Sequence, residues 1–125
     1  MKLTILIIAI LALIALACNA QTQSGNYTNI DVTTFKEKMN DSNVVLLDVR
    51  TPAEIATGKI EGAVSLDVKS DQFAQQIQQL DTTKTYLVYC RSGRRSVKAC
   101  NLMDVVGFEK LYNLEGGYQA WKAAR

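Results

Sequence analysis

The sequence predicts an α/β domain in three layers, a central parallel sheet with helices on both faces. Three observations lead there. Short apolar runs alternate with stretches of helical periodicity along the chain. The strongest runs, 44–49 and 85–89, are continuously apolar, as strands covered on both faces are. Few tight hairpin signals join one run to the next, so the connections read as crossovers.

Each element has a local reason. Ile30 to Met39 reads as a short extended segment followed by a helix, with Thr33 or Thr34 as its cap. Val44-Val45-Leu46-Leu47-Asp48-Val49 is a central strand. Thr51-Pro52-Ala53-Glu54 then supplies an N-cap, a proline at the first helical position and an acid in the first turn, for a helix ending near Gly58. Ala63 to Leu66 is a brief strand, and Ser70-Asp71-Gln72-Phe73 begins an amphipathic helix running through Ile77 and Leu80. The strand Thr85 to Tyr89 leads through a loop into a helix from Ser96 to Val106, whose apolar face carries Ala99, Cys100 and Met103 and which Gly107 stops. Lys110 to Leu114 is the last strand, and Gly116-Gly117 turns into a terminal helix carrying Tyr118 and Trp121.

The N-terminus reads differently. After Lys2 the chain is almost unbroken Leu, Ile and Ala for about 15 residues, short of the roughly 20 that a spanning helix needs. This has the build of an export signal, residues 1–17, followed by a polar linker, 18–28, and one domain, 29–125. The segment resembles a bacterial lipoprotein signal. That resemblance implies lipidation of Cys18 and an exported protein of the periplasm or cell envelope, held to the membrane by its lipid; Ala15 stands where such signals usually have Leu. The remaining length, about 100 residues, accommodates a single core.

Composition removes whole classes of chemistry. There is no histidine, which excludes Cys-His pairs, Ser-His-Asp triads and nearly every usual transition-metal site. No carboxylate cluster marks a metal site, so neither a metal nor an organic cofactor is expected. The net charge is +2 and there is no long basic run, so nucleic acid is not indicated as a partner.

What remains is Cys90-Arg91-Ser92-Gly93-Arg94-Arg95-Ser96, between a strand and a helix. Arginines crowding a helix N-terminus oppose the macrodipole by roughly 0.3–1 kcal/mol each, and something negative should offset them. Successive backbone N–H groups opening onto a helix form an anion site, and the same field lowers a cysteine's pKa from about 8.5. Cys90 therefore reads as a thiolate nucleophile facing a small anion. Of the other cysteines, Cys18 would carry the lipid, while Cys100 reads as a small buried hydrophobe rather than a resolving thiol.

Together these residues resemble a single-domain rhodanese, a sulfurtransferase. Leu47 to Glu54 with Gly62-Ala63, then Cys90 to Arg95, then Asn113-Leu114-Glu115-Gly116-Gly117-Tyr118-Gln119-Ala120-Trp121 carry the match, which spans Asn29 to Ala124. The resemblance implies that Cys90 takes a sulfane sulfur from thiosulfate or polysulfide, becomes a persulfide, and passes the sulfur to a thiol or cyanide. Arg91, Ser92, Gly93, Arg94, Arg95 and Ser96 would bind substrate, with Gly93 permitting the curl and Arg95 open to an inward structural role. Asp48 and Arg50 would brace the loop, pairing with each other or with it. Glu54 reads as a helix-start charge and Trp121 as core. Where the family usually has His-Ile-Pro-Gly-Ala, this chain has Lys59-Ile60-Glu61-Gly62-Ala63, which should loosen that turn, and Ile55 replaces a common aromatic.

Other functions fit less well. A phosphatase or arsenate reductase of related fold needs its loop arginine at the sixth position after the cysteine; here Arg95 is fifth and Ser96 sixth. Cys90 and Cys100 lack the Cys-x-x-Cys spacing of a thiol oxidoreductase. Noncatalytic rhodanese-like binding modules typically lack the cysteine, which this chain keeps.

Overall fold

A computed structural model describes residues 25–124. The expected signal segment, Cys18 and the first part of the linker lie outside the described residues. The elements are β1 (Thr28–Ile30), α1 (Val32–Lys38), β2 (Val44–Asp48), α2 (Pro52–Ile55), β3 (Val64–Ser65), α3 (Phe73–Ile77), β4 (Thr85–Tyr89), α4 (Arg94–Val105), β5 (Leu111–Leu114) and α5 (Gly117–Ala123). The five strands form one sheet in the order β1-β5-β4-β2-β3, every pairing parallel, which is the predicted fold class.

Strand alternation divides the apolar residues between the faces. Leu47, Val49, Tyr86, Val88 and Cys90 bury one way, against Phe73 and Ile77 of α3 and Ala99, Cys100 and Met103 of α4. Leu46, Leu87, Tyr89 and Leu114 bury the other way, against Phe35 of α1 and Tyr118 of α5. Each large apolar side chain so buried stabilises the fold by roughly 1.5–3 kcal/mol, and both faces of the sheet are needed to cover the doubly apolar β2 and β4. Trp121 is only partly buried, packing edge-on to Phe35 with ring centroids 6.2 Å apart.

Several boundaries differ from those read in the sequence. Asp31, not Thr33 or Thr34, caps α1: its backbone is extended and its Oδ1 accepts from Thr34 N–H at 2.9 Å. The cap must sit outside the helix with an acceptor reaching the third N–H, a position Asp31 alone occupies. Helix α3 is shorter than Ser70 to Leu80, because at both ends the N–H of Phe73, Gln79 and Leu80 bonds three residues back. The turn at Lys59 to Ala63 is held rather than loose. Ile60 is buried, its N–H donates to Tyr89 Oη at 3.1 Å, and Ala63 N–H closes onto Ile60 O at 3.2 Å.

The parallel sheet fixes where the chemistry can be. Strands β2, β4 and β5 end side by side, so the segments after Asp48, Tyr89 and Leu114 converge at the carboxyl edge, where ligands of open α/β sheets bind.

Candidate active site

Cys90 directly follows β4 and is fully buried. The chain then turns outward at Arg91 and Ser92, both exposed, and re-enters at Gly93, whose φ of +103° lies in the left-handed region. That conformation aims the Gly93 N–H inward, where it donates to Cys90 Sγ at 3.1 Å. Helix α4 begins at Arg94, two residues earlier than the periodicity suggested, and its first turn brings the buried Ser96 Oγ to 3.3 Å from the same sulfur.

The outer side of this loop is clamped by α5. Tyr118 N–H donates to Cys90 O at 2.8 Å and Gln119 N–H to Arg91 O at 3.0 Å. In a trans peptide the C=O and the following N–H point opposite ways, so carbonyls drawn toward α5 turn the loop's N–H groups toward the sulfur. Gly117 makes the close approach possible: a Cβ there would stand 2.5 Å from Cys90 O, and its φ is +56°. Sequence reasoning missed this clamp. Its visible signal was the Gly116-Gly117 pair opening a helix, which read only as a turn.

Burial is the largest single influence on Cys90 and opposes ionisation, but it is outweighed by several donors. The Ser96 hydroxyl and the N–H groups of Ser96, Gly93 and Ser92 together hold the thiol below its ordinary value. Main-chain and hydroxyl donors therefore dominate over guanidinium groups in stabilising the thiolate. Cys100, buried one helical turn beyond Ser96, lacks such donors, and burial pushes its thiol up to about 12.

The arginines divide. Arg95 Nη1 and Nη2 donate to the two carboxylate oxygens of Glu54 at 2.6 and 2.7 Å. Glu54 is also the capping-box residue of α2, with Thr51, so the pair ties α2 to the start of α4. The Arg95 hydrogen bonds, against partial burial and with help from Thr51, pull the Glu54 carboxyl down to about 2. Arg91 and Arg94 are exposed and form no ion pair with any carboxylate among the described residues.

Asp48 and Arg50 pair with each other and do not reach the loop directly. Arg50 Nη2 lies 2.7 Å from Asp48 Oδ2, both side chains being buried, and donates also to Gly58 O at 2.8 Å. The guanidinium lies 4.3 Å from the centroid of the Tyr118 ring, on the helix that clamps the loop. The pair also touches Tyr89, the residue before Cys90, whose ring centroid lies 5.6 Å from the same guanidinium. Beside it a cleft of about 420 Å³ opens between α2 and α5, lined by Arg50, Glu54, Thr57, Arg91, Gln119 and Lys122.

Comparison with known proteins agrees with this architecture. The Rhodanese-like domain family matches residues 31–124. The chain is 38% identical over 94 residues to YtwF of Bacillus subtilis, covering 74% of this chain and 88% of that protein. It is 36% identical over 93 residues to a sulfurtransferase of Allochromatium vinosum, covering 74% of this chain and 85% of that one. Among solved structures, a rhodanese-related protein from Thermoplasma volcanium is similar with a TM-score of 0.69 at 26% identity, over 78% of this chain and 93% of that chain. A five-stranded parallel sheet that ends in a clamped, sulfur-cradling loop, matched over nearly all its described length, makes this chain a member of the rhodanese-like domain family, with sulfurtransferases among its homologues.

Proposed function

We propose that the protein is a sulfurtransferase that moves a sulfane sulfur from thiosulfate or polysulfide to a thiol or cyanide through a persulfide on Cys90. The observation that carries this reading is a fully buried cysteine sulfur accepting from Gly93 N–H, beside Ser96 Oγ, with its thiol held low. The Cys90 thiolate attacks the outer sulfur of thiosulfate. A new S–S bond forms to Sγ, the old one breaks, and sulfite departs with its electron pair. An acceptor thiolate or cyanide then takes the outer sulfur and returns Cys90 as thiolate.

In this cycle Ser92, Gly93 and Ser96 bind the developing negative charge on sulfur. Arg91 and Arg94, unpaired with any carboxylate among the described residues, meet the donor anion. Arg95 contributes mainly by fixing the loop through Glu54, and Asp48 and Arg50 support it through Tyr89 and Tyr118. The competing readings are a noncatalytic rhodanese-like module and, further off, a phosphatase or arsenate reductase. Retention of the nucleophile inside its donor set favours sulfur transfer over the noncatalytic module, and Arg95 at the fifth position after the cysteine, bound to Glu54, favours it over the phosphatase or arsenate reductase.

Mass spectrometry after thiosulfate treatment tests it. The expected result is a one-sulfur adduct on Cys90, removed by cyanide and absent in Cys90→Ser. No adduct, with phosphate released from an aryl phosphate, overturns it. We further propose that residues 1–17 direct export and that Cys18 carries a lipid anchoring the domain to the cell envelope. A diacylated N-terminal peptide beginning at Cys18 is the expected product in the membrane fraction.

A further inference from the structure

Helix α4 has an outer face that the core leaves uncovered. Ser96, Ala99, Cys100 and Met103 bury its inner side, and at about 100° per residue Arg94, Lys98, Asn101 and Val105 fall within about 60° of one another on the opposite side. Arg94 and Lys98 are exposed and form no ion pair among the described residues, while Asp104 stands about a quarter turn round the helix. Val105 is 83% exposed, the most of any large apolar side chain among the described residues. The face therefore grades from cationic beside the catalytic loop to apolar at its far end, roughly 17 Å away. The chain also enters the domain here. Gly25 packs so closely on Asn101 that a Cβ there would collide with Asn101 Oδ1, an atom buried without a hydrogen-bond partner, and Tyr27 then packs against the core that α4 covers. Cys18 precedes Gly25 by seven residues, a length of chain that spans at most about 25 Å.

Resting on the anchorage at Cys18, we propose that the outer face of α4 docks on an anionic lipid surface. A lipid on Cys18 keeps the middle of this face, at Asn101, close to the bilayer. Lys98 and, at the loop end, Arg94 meet the headgroup charge, an attraction that acts within about a Debye length of the surface, and Val105 leaves water for the interfacial layer. Helix α1, on the other side of the sheet, faces away from the lipid. Because Gly93 and Ser96 belong to the start of this same helix, the catalytic loop then opens beside the membrane, and sulfur is exchanged at the lipid surface.

The test acetylates lysines with a membrane-impermeant reagent on the full chain bound to phosphatidylcholine vesicles, with or without phosphatidylglycerol, and reads each site by mass spectrometry. Lys36 on α1 is the internal reference. On vesicles containing phosphatidylglycerol the rate at Lys98 relative to Lys36 should fall by about fivefold, and high salt should restore it. Val105→Asp, at an exposed site that leaves the core untouched, should weaken the protection. Equal rates at Lys98 and Lys36 on anionic vesicles, with the chain cosedimenting, overturn the docking while the anchorage stands. Protection that is the same on neutral vesicles and grows with the surface density of the chain assigns the face to a second copy and overturns it too. A chain that stays in solution overturns the anchorage, and the docking with it.

Discussion

At the scale of single residues, the chemistry depends on how many donors reach one buried sulfur. Burial disfavours the thiolate, and only the convergence of the Ser96 hydroxyl with the main-chain donors reverses the balance. Removing one hydrogen bond to a charged group costs about 1.5–3 kcal/mol, which corresponds to roughly one to two pKa units. Ser96→Ala is therefore expected to move the Cys90 ionisation upward by that amount, read from the pH dependence of its alkylation rate. The nucleophile and its glycine were legible in the sequence because residue type alone restricts them. The part played by the Ser96 hydroxyl was not, since it depends on how the first turn of α4 brings that side chain to the sulfur.

At the scale of elements, the loop is held from two sides. The Glu54–Arg95 pair joins α2 to α4, and its carboxyl is pulled from an ordinary 4.5 down to about 2. A carboxyl depressed in the folded state stabilises it fully above the unfolded value and loses that contribution as pH falls through the folded one. Stability should accordingly decline from about pH 4.5 toward 2, and Glu54→Gln should flatten this part of the profile in denaturant titrations. With the Glu54 side chain 27% exposed, solvent screening limits the effect to about 1–2 kcal/mol. The other hold is α5, which approaches the Cys90–Arg91 backbone through Gly117. Gly117→Ala puts a methyl carbon 2.5 Å from Cys90 O on a left-handed backbone. A loss of about 1–3 kcal/mol is expected, seen in the denaturation midpoint, together with slower sulfur loading as the loop's N–H groups lose alignment.

At the scale of the whole molecule, both layers meet at the carboxyl edge of the sheet through one buried ion pair. Arg50 bonds Asp48 on β2, the Gly58 carbonyl after α2 and, through its guanidinium face, Tyr118 on α5. Arg50→Ala leaves the Asp48 carboxylate buried without its partner, so a destabilisation of about 3–5 kcal/mol is expected in urea titrations. The double variant Arg50→Met with Asp48→Leu should recover much of it, because the desolvation cost of both charges then disappears. The alternation of strand and helix, the position of Cys90 at a strand end and the glycine that curls the loop are legible in the chain, because periodicity, apolar patterning and backbone freedom are local properties. Long-range packing alone brings Arg95 onto Glu54, sets the Arg50 guanidinium against the Tyr118 ring and lays α5 along the loop's carbonyls. Those contacts join residues 28 to 68 positions apart, and no local pattern carries information about which distant partner a charge or a carbonyl will meet.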